Sequence, residues 1–191
     1  MQKNIILAGV GGQGILSIAA VIDWAAIREG LDIRQAEVHG MSQRGGAVQS
    51  HLRISDTEIF ADLIALGTAD LILSVEPMEA LRYIPYLSPE GRIVTSLDPI
   101  VNMPAYPSVD TIICELRKTL RPVLVNASAL ACEAGSARAS NMVMLGAAAP
   151  FTGIEPARLE AGIEALFAEK GRHVIDINTR AFRKGLQHSN I

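Results

Sequence analysis

Hydrophobic positions along this chain fall into two patterns. Short unbroken apolar runs predict buried strands, and longer stretches with apolar residues three and four apart predict helices. Asn4–Gly9 is a run of the first kind, ending in glycine. Gly12–Glu29 is of the second kind, with Ile15, Ile18, Ala19, Ile22 and Ala26 at helical spacing and Gly30 where a C-cap is expected. A strand over Asp32–Val38 follows, then one over Ala47–Ser55, where Val48, Leu52 and Ile54 stand among Gln49, His51 and Arg53. Ser55-Asp-Thr57 predicts a hairpin turn into Glu58-Ile-Phe60, which makes part of the sheet antiparallel. Further strands are predicted at Asp70–Val75, Gly91–Ser96 and Val123–Asn126. Pro77 opens a helix at the favoured first position, and Ser108 caps another through Leu120 after the proline-rich loop Pro99–Pro107. Beyond it the pattern is helical: Ala127–Ala134, Asn141–Ala149, Pro156–Lys170 and Ile175–Gln187.

These elements predict a three-layer, Rossmann-like α/β fold. The sheet is mostly parallel with an antiparallel hairpin portion, and the C-terminal third is rich in helix. No repeat or linker divides the sequence, so residues 1–191 read as one domain. Composition refines the picture: 49% of residues are hydrophobic but only 4% aromatic, so small aliphatic side chains must fill the interior. The formal charge of -3 offers no global attraction to nucleic acid or to an acidic membrane. No apolar run is long enough to span a bilayer, and two cysteines are too few for a disulfide framework. A cytoplasmic protein is expected.

The sharpest local signal is Gly9-Val-Gly11-Gly12-Gln13-Gly14, in which Gly9, Gly11 and Gly14 satisfy G-x-G-x-x-G between a strand and a helix. Such glycines permit a tight turn, close approach of backbone to ligand, and close packing of helix on strand. The first-turn amides of a helix lack intrahelical partners and carry partial positive charge, which suits a phosphate or pyrophosphate. The alternative is a turn that only lets strand and helix pack. A dinucleotide site also wants an acid about 20 residues on, at the end of the second strand, and Glu37 is the available residue.

A second candidate loop is His39-Gly-Met-Ser-Gln-Arg44-Gly45-Gly46. Arg34, Arg44 and Arg53, with His39 and His51, face a single acid in this stretch, Glu37. The glycines let amides face a ligand while Arg44 offers a fork of donors to phosphate or carboxylate. A structural salt bridge and a tight turn explain the same residues equally well.

The pairing of Gly9-Val-Gly-Gly-Gln-Gly14 with Glu37-Val-His-Gly-Met-Ser-Gln-Arg-Gly-Gly46, followed by Ser50-His-Leu-Arg-Ile-Ser55, resembles the gamma domain of the 2-oxoacid:ferredoxin oxidoreductases. So do Asn141-Met-Val-Met-Leu-Gly-Ala147 and Ile177-Asn-Thr-Arg-Ala-Phe-Arg-Lys-Gly185, and the likeness runs over almost the whole sequence. Within the family, the Glu37–Gly46 stretch and the length most resemble the small (beta) subunits of the indolepyruvate branch. The resemblance implies oxidative decarboxylation of a 2-oxoacid, aryl pyruvates in that branch, with the acyl group passed to coenzyme A and electrons to ferredoxin. It implies that this domain handles coenzyme A, with Gly9, Gly11, Gly12, Gln13, Gly14, Arg44, Gly45 and Gly46 as the binding residues. Thiamine diphosphate, magnesium and four-iron clusters are implied on a large partner subunit.

The residues limit what this chain does alone. A four-iron cluster needs four thiolates, whereas Cys114 and Cys132 are two, and they read as buried and inert. No Gly-Asp-Gly occurs, no carboxylate pattern makes a metal site, and no nucleophile–base pair stands out. His51 reads as a surface or interface residue. The methionines and leucine of Asn141–Gly146 read first as core, and in the family reading that helix lines the contact with the large subunit. Three readings remain at this point: a non-catalytic oxidoreductase subunit with a coenzyme A phosphate cradle and a docking surface, a nicotinamide-dependent reductase, and a nucleotide-sensing regulatory module.

Overall fold

A computed structural model describes residues 1–39, 45–119 and 122–189, without the side chain of His39. Six strands, Gln2–Val10 (β1), Asp32–His39 (β2), Ala47–Ser55 (β3), Ala69–Ser74 (β4), Leu87–Ser96 (β5) and Val123–Val125 (β6), form one sheet. Their order is β2-β3-β1-β4-β5-β6. Strands β1, β4, β5 and β6 run parallel, while β3 lies antiparallel to both β1 and β2. The mostly parallel sheet with an antiparallel part is therefore present.

The antiparallel part arises differently from the expected hairpin. Glu58-Ile-Phe60 forms no strand. Ser55 Oγ instead accepts from Thr57 N at 3.0 Å and turns the chain. The following segment crosses β3, with Ile59 N donating to Asp32 Oδ2 at 2.7 Å and Ile64 N to His51 Nδ1 at 3.0 Å. An ST-turn offers the backbone this alternative to a ladder.

Helices cover both faces. On one side lie Ile15–Arg28 (α1), Ala127–Ala134 (α4), Ser140–Thr152 (α5), Pro156–Leu166 (α6) and Arg172–Ser189 (α7), packed over Ile5 and Leu7 of β1. On the other lie Pro77–Arg82 (α2) and Val109–Leu116 (α3), over Ile6 and Ala8. Alternate residues of β1 thus feed separate cores, the mark of a strand buried on both faces. The expected single helix Pro156–Lys170 ends at Leu166, and a 3-10 turn at Ala168–Lys170 leads through Gly171 into α7. Pro77 opens α2, and Ser108 Oγ caps α3 by accepting from Thr111 N at 3.2 Å. The expected end of α3 at Leu120 lies outside the described residues.

Helix α5 is the hub of the larger core. Met142, Val143, Met144, Leu145, Ala147 and Ala148 have no exposed surface. A helix apolar all round belongs in an interior, and each large side chain so buried contributes about 1.5–3 kcal/mol. Its large apolar side chains are covered by its own chain, and the surface it leaves open is Pro150 with Ser140 and Asn141 at its start. Gly146 and Gly185 let α5 and α7 touch: a Cβ on Gly146 would stand 1.9 Å from the Phe182 carbonyl oxygen, and one on Gly185 equally close to that of Val143.

Cys114 and Cys132 are exposed rather than buried. On α3 the buried face carries Ile112 and Leu116, and Cys114 sits two residues from each, which turns it outward.

Candidate phosphate-binding cleft

The glycine loop joins the C-terminal end of β1 to α1, as the sequence predicts. Gly14 is the N-cap at φ 77°, a left-handed conformation in which a Cβ would also meet Asn141 Nδ2 at 2.5 Å. No side chain caps this helix end. Among the described residues, no hydrogen bond takes the amides of Gly12, Gly14, Ile15 or Leu16. A helix start left without partners is an anion site in waiting.

The loop's glycines divide by role. Gly9 lies within β1, where a Cβ would come 2.4 Å from Val75 Cγ2, so its smallness serves packing. Gly12 is exposed at φ 101°, with nothing within 4 Å of a built Cβ. That open space is where backbone and ligand can meet closely. Gln13 holds the loop in shape: its Oε1 accepts from Val10 N at 2.8 Å and its Nε2 donates to Val75 O at 3.0 Å. Its side-chain amide is thus engaged by the ends of β1 and β4, which makes it a positioning residue.

The two glycine segments meet. Gly11 N donates to Gly46 O at 2.8 Å and Gly45 N to Gly11 O at 3.4 Å, carrying the β1–β3 ladder past Val10. Asn102, from the loop after β5, donates to Gly45 O at 2.7 Å. Arg44 and the other residues of Gly40–Arg44 lie outside the described residues.

The remaining basic residues of that stretch are not gathered here. Arg53 donates to Asn4 Oδ1 at 3.0 Å and to Ala61 O at 2.6 Å, at the opposite end of β1 from the glycine loop. His51 is buried on inner strand β3, beneath the 56–68 segment and edge-on to Tyr86 at 5.4 Å. Burial lowers its pKa, and its Nδ1 acts as an acceptor, so the surface role expected from alternation does not hold. Glu37 is exposed on β2, with β3 between it and β1. It stands two strand spacings from β1, about 9–10 Å. In a dinucleotide fold the second strand lies directly beside the first, and here it does not.

Beside the glycine loop opens a cleft of about 790 Å³. Its walls are Gly12, Gly14 and Ser17 at the start of α1, Ser136 and residues 138–141 before and at the start of α5, and Phe167, Lys170 and Asn178 from the C-terminal segment. Asn141 ties two of these walls together by donating to Gly14 O at 3.2 Å. Arg138 and Lys170 are exposed cations on the rim, and neither makes an ion pair among the described residues. Lys170 Nζ lies 5.3 Å over the Phe167 ring. No carboxylate lines the cleft among the described residues. Ser136, Ser140, Arg138 and Lys170 were not singled out by the sequence, since no local motif marks residues brought to the loop from over a hundred positions away. Also among the described residues, no group of three or more His, Cys, Asp or Glu is placed to hold a metal ion, and no helix is long and apolar enough to cross a membrane.

Sequence comparison matches residues 4–188 to the pyruvate ferredoxin/flavodoxin oxidoreductase family. The chain belongs to this family. It is 40% identical to the indolepyruvate oxidoreductase subunit IorB of Archaeoglobus fulgidus, over 97% of this chain and 94% of that one. Solved structures share the fold of this family member. A 2-oxoglutarate:ferredoxin oxidoreductase from Magnetococcus marinus, with 2-oxoglutarate, coenzyme A and succinyl-CoA bound, superposes with a TM-score of 0.79 at 24% identity, over 99% of this chain and 31% of that one. The pyruvate oxidoreductase subunit PORC of Thermotoga maritima gives 0.75 at 21% identity, over 97% and 96% of the two chains.

Proposed function

We propose that residues 1–191 form a gamma-type domain that acts as the small subunit of a 2-oxoacid:ferredoxin oxidoreductase, with an aryl pyruvate such as indolepyruvate as the substrate of the whole enzyme. Identity of 38–40% to four indolepyruvate oxidoreductase subunits supports the substrate branch. The part assigned to this chain is to hold the phosphates of coenzyme A. The observation that carries this reading is the cleft at the start of α1, where, among the described residues, amides without partners stand beside Arg138 and Lys170 and no carboxylate intrudes. Coenzyme A fits such a lining because its phosphates accept many hydrogen bonds and carry several charges. When bound, it supplies the thiol that accepts the acyl group.

The chain's own residues then bind and orient. Gly12 allows close approach, Gly14 opens the helix, Gln13 and Asn141 fix the loop, and the two cations neutralise the phosphates. With two cysteines, exposed and on separate helices, the chain has too few thiolates for a four-iron cluster. Thiamine diphosphate, magnesium and iron–sulfur clusters are assigned to a large partner subunit, and the electrons leave that partner for ferredoxin. The position of Glu37 weighs against a nicotinamide reductase.

The test is coenzyme A affinity in the assembled complex. Arg138→Ala and Lys170→Ala should each weaken binding several-fold at low salt and less at high salt, because exposed charges are screened. Unchanged affinity in both variants would remove the cradle.

A further inference from the structure

The loop between β5 and α3 reaches the glycine segments from a buried anchor. Glu76, the N-cap of α2 just past β4, is buried and makes no ion pair among the described residues. Its two carboxylate oxygens divide the work. Oε2 accepts from Glu79 N at 2.8 Å and caps the helix. Oε1 accepts from Ile100 N at 3.3 Å and from the Tyr106 hydroxyl. A short side chain such as serine or aspartate is enough for a cap. The longer glutamate also gathers both ends of the 100–106 segment on one oxygen. Between those ends, residues 101–105 are exposed. Among the described residues, the hydrogen bond they send outside their own loop is that of Asn102 Nδ2 to Gly45 O at 2.7 Å. Gly45 is itself exposed, at a left-handed φ of 78°. Its amide donates to Gly11 O, and the Gly46 carbonyl accepts from Gly11 N. Gly11 is therefore held on both sides, one residue before the partnerless amide of Gly12.

We infer that Asn102 is a positioning residue for the phosphate-binding loop, anchored by Glu76 through Ile100 and Tyr106. The inference rests on the cradle reading above and adds what sets the loop's shape before a ligand arrives. Gly12 presents its amide where Gly11 is fixed, residues 45 and 46 fix Gly11, and the Asn102 amide fixes the Gly45 carbonyl. An engaged Gly45 oxygen is also not free to swing toward an incoming anion and repel it. A loop shaped in advance spares the ligand the cost of ordering it.

Amide exchange read by NMR in the full 191-residue chain tests the positioning without any ligand. Asn102→Ala should speed exchange at Gly11 about three- to tenfold, the worth of one hydrogen bond, with Leu7 and Ala8 of β1 unchanged. In the assembled complex the same variant should weaken coenzyme A by a similar factor. Tyr106→Phe should act in the same direction, and Asn102→Gln, which keeps the donor, should recover most of both losses. Unchanged Gly11 exchange in Asn102→Ala would overturn the positioning role whatever the ligand. A loss that Asn102→Gln does not recover would mark a general disturbance of the loop and overturn the role of the amide. Faster exchange with full coenzyme A affinity, while Arg138→Ala and Lys170→Ala still weaken it, would overturn its bearing on the ligand and leave the cradle standing. Affinity indifferent to Asn102, Arg138 and Lys170 alike would remove the cradle, and this inference with it.

Discussion

Two sets of glycines do opposite work in this molecule. At Gly12 the missing side chain leaves open space beside a helix start, whereas at Gly146 and Gly185 it removes space so that two helices touch. In the first case a ligand can fill the gap, and in the second the protein has already filled it. Smallness alone does not mark a binding site. What separates the two regions is whether the neighbouring backbone groups already have partners.

Substitution breaks the two regions differently. Gly146→Leu drives a side chain into the Phe182 carbonyl, 1.9 Å from the Cβ alone, and should cost at least about 3–5 kcal/mol or prevent folding. Urea unfolding checks it, and a near-native midpoint would show that α5 and α7 can separate freely. Gly12→Val should abolish coenzyme A binding while costing about 1–2 kcal/mol of stability for a left-handed residue. A stability loss as large as that of Gly146→Leu would erase the contrast between open and closed glycines.

Smaller effects come from two titrating groups outside the comparison. Burial pushes the Asp23 carboxyl up to about 6, and its Oδ1 has no hydrogen-bond partner among the described residues. The folded state holds that proton more tightly than the unfolded one, so stability is lost as pH rises from about 4 through 6. Asp23→Asn should therefore stabilise the chain by about 1–2 kcal/mol at pH 7.5 after solvent screening and remove that loss from the pH profile of thermal unfolding. His51 acts in the opposite sense: burial lowers its pKa, so its contribution is present above the ordinary value of 6.5 and declines as pH falls below it. A His51→Gln variant should show a shallower decline on the acid side. An identical slope would mean that His51 takes up its proton as readily in the folded chain as in the unfolded one.

The glycine loop was legible because its signal is local: strand, turn and helix are consecutive, and each glycine answers a constraint within a few residues. The contact of Gly45 and Gly46 with Gly11 followed from the same ladder that pairs β1 with β3. Arg138 and Lys170 were not legible, because the crossing of α5 and α7 delivers them to the loop and no nearby residue announces it. His51 misled for a related reason: polar alternation suggested an outward face, but the 56–68 segment folds over it and supplies the Ile64 amide. The misplaced hairpin at residues 58–60 has the same origin, a turn signal read correctly whose outgoing chain pairs with side chains instead of a strand.

The central claim concerns the amides of Gly12, Gly14, Ile15 and Leu16, and hydrogen exchange resolves them directly. In the free protein they should exchange rapidly, and coenzyme A should slow them together while the interior of α5 stays unchanged. Slowing confined to other segments, with these amides exchanging at their free rate under saturating coenzyme A, would contradict the account.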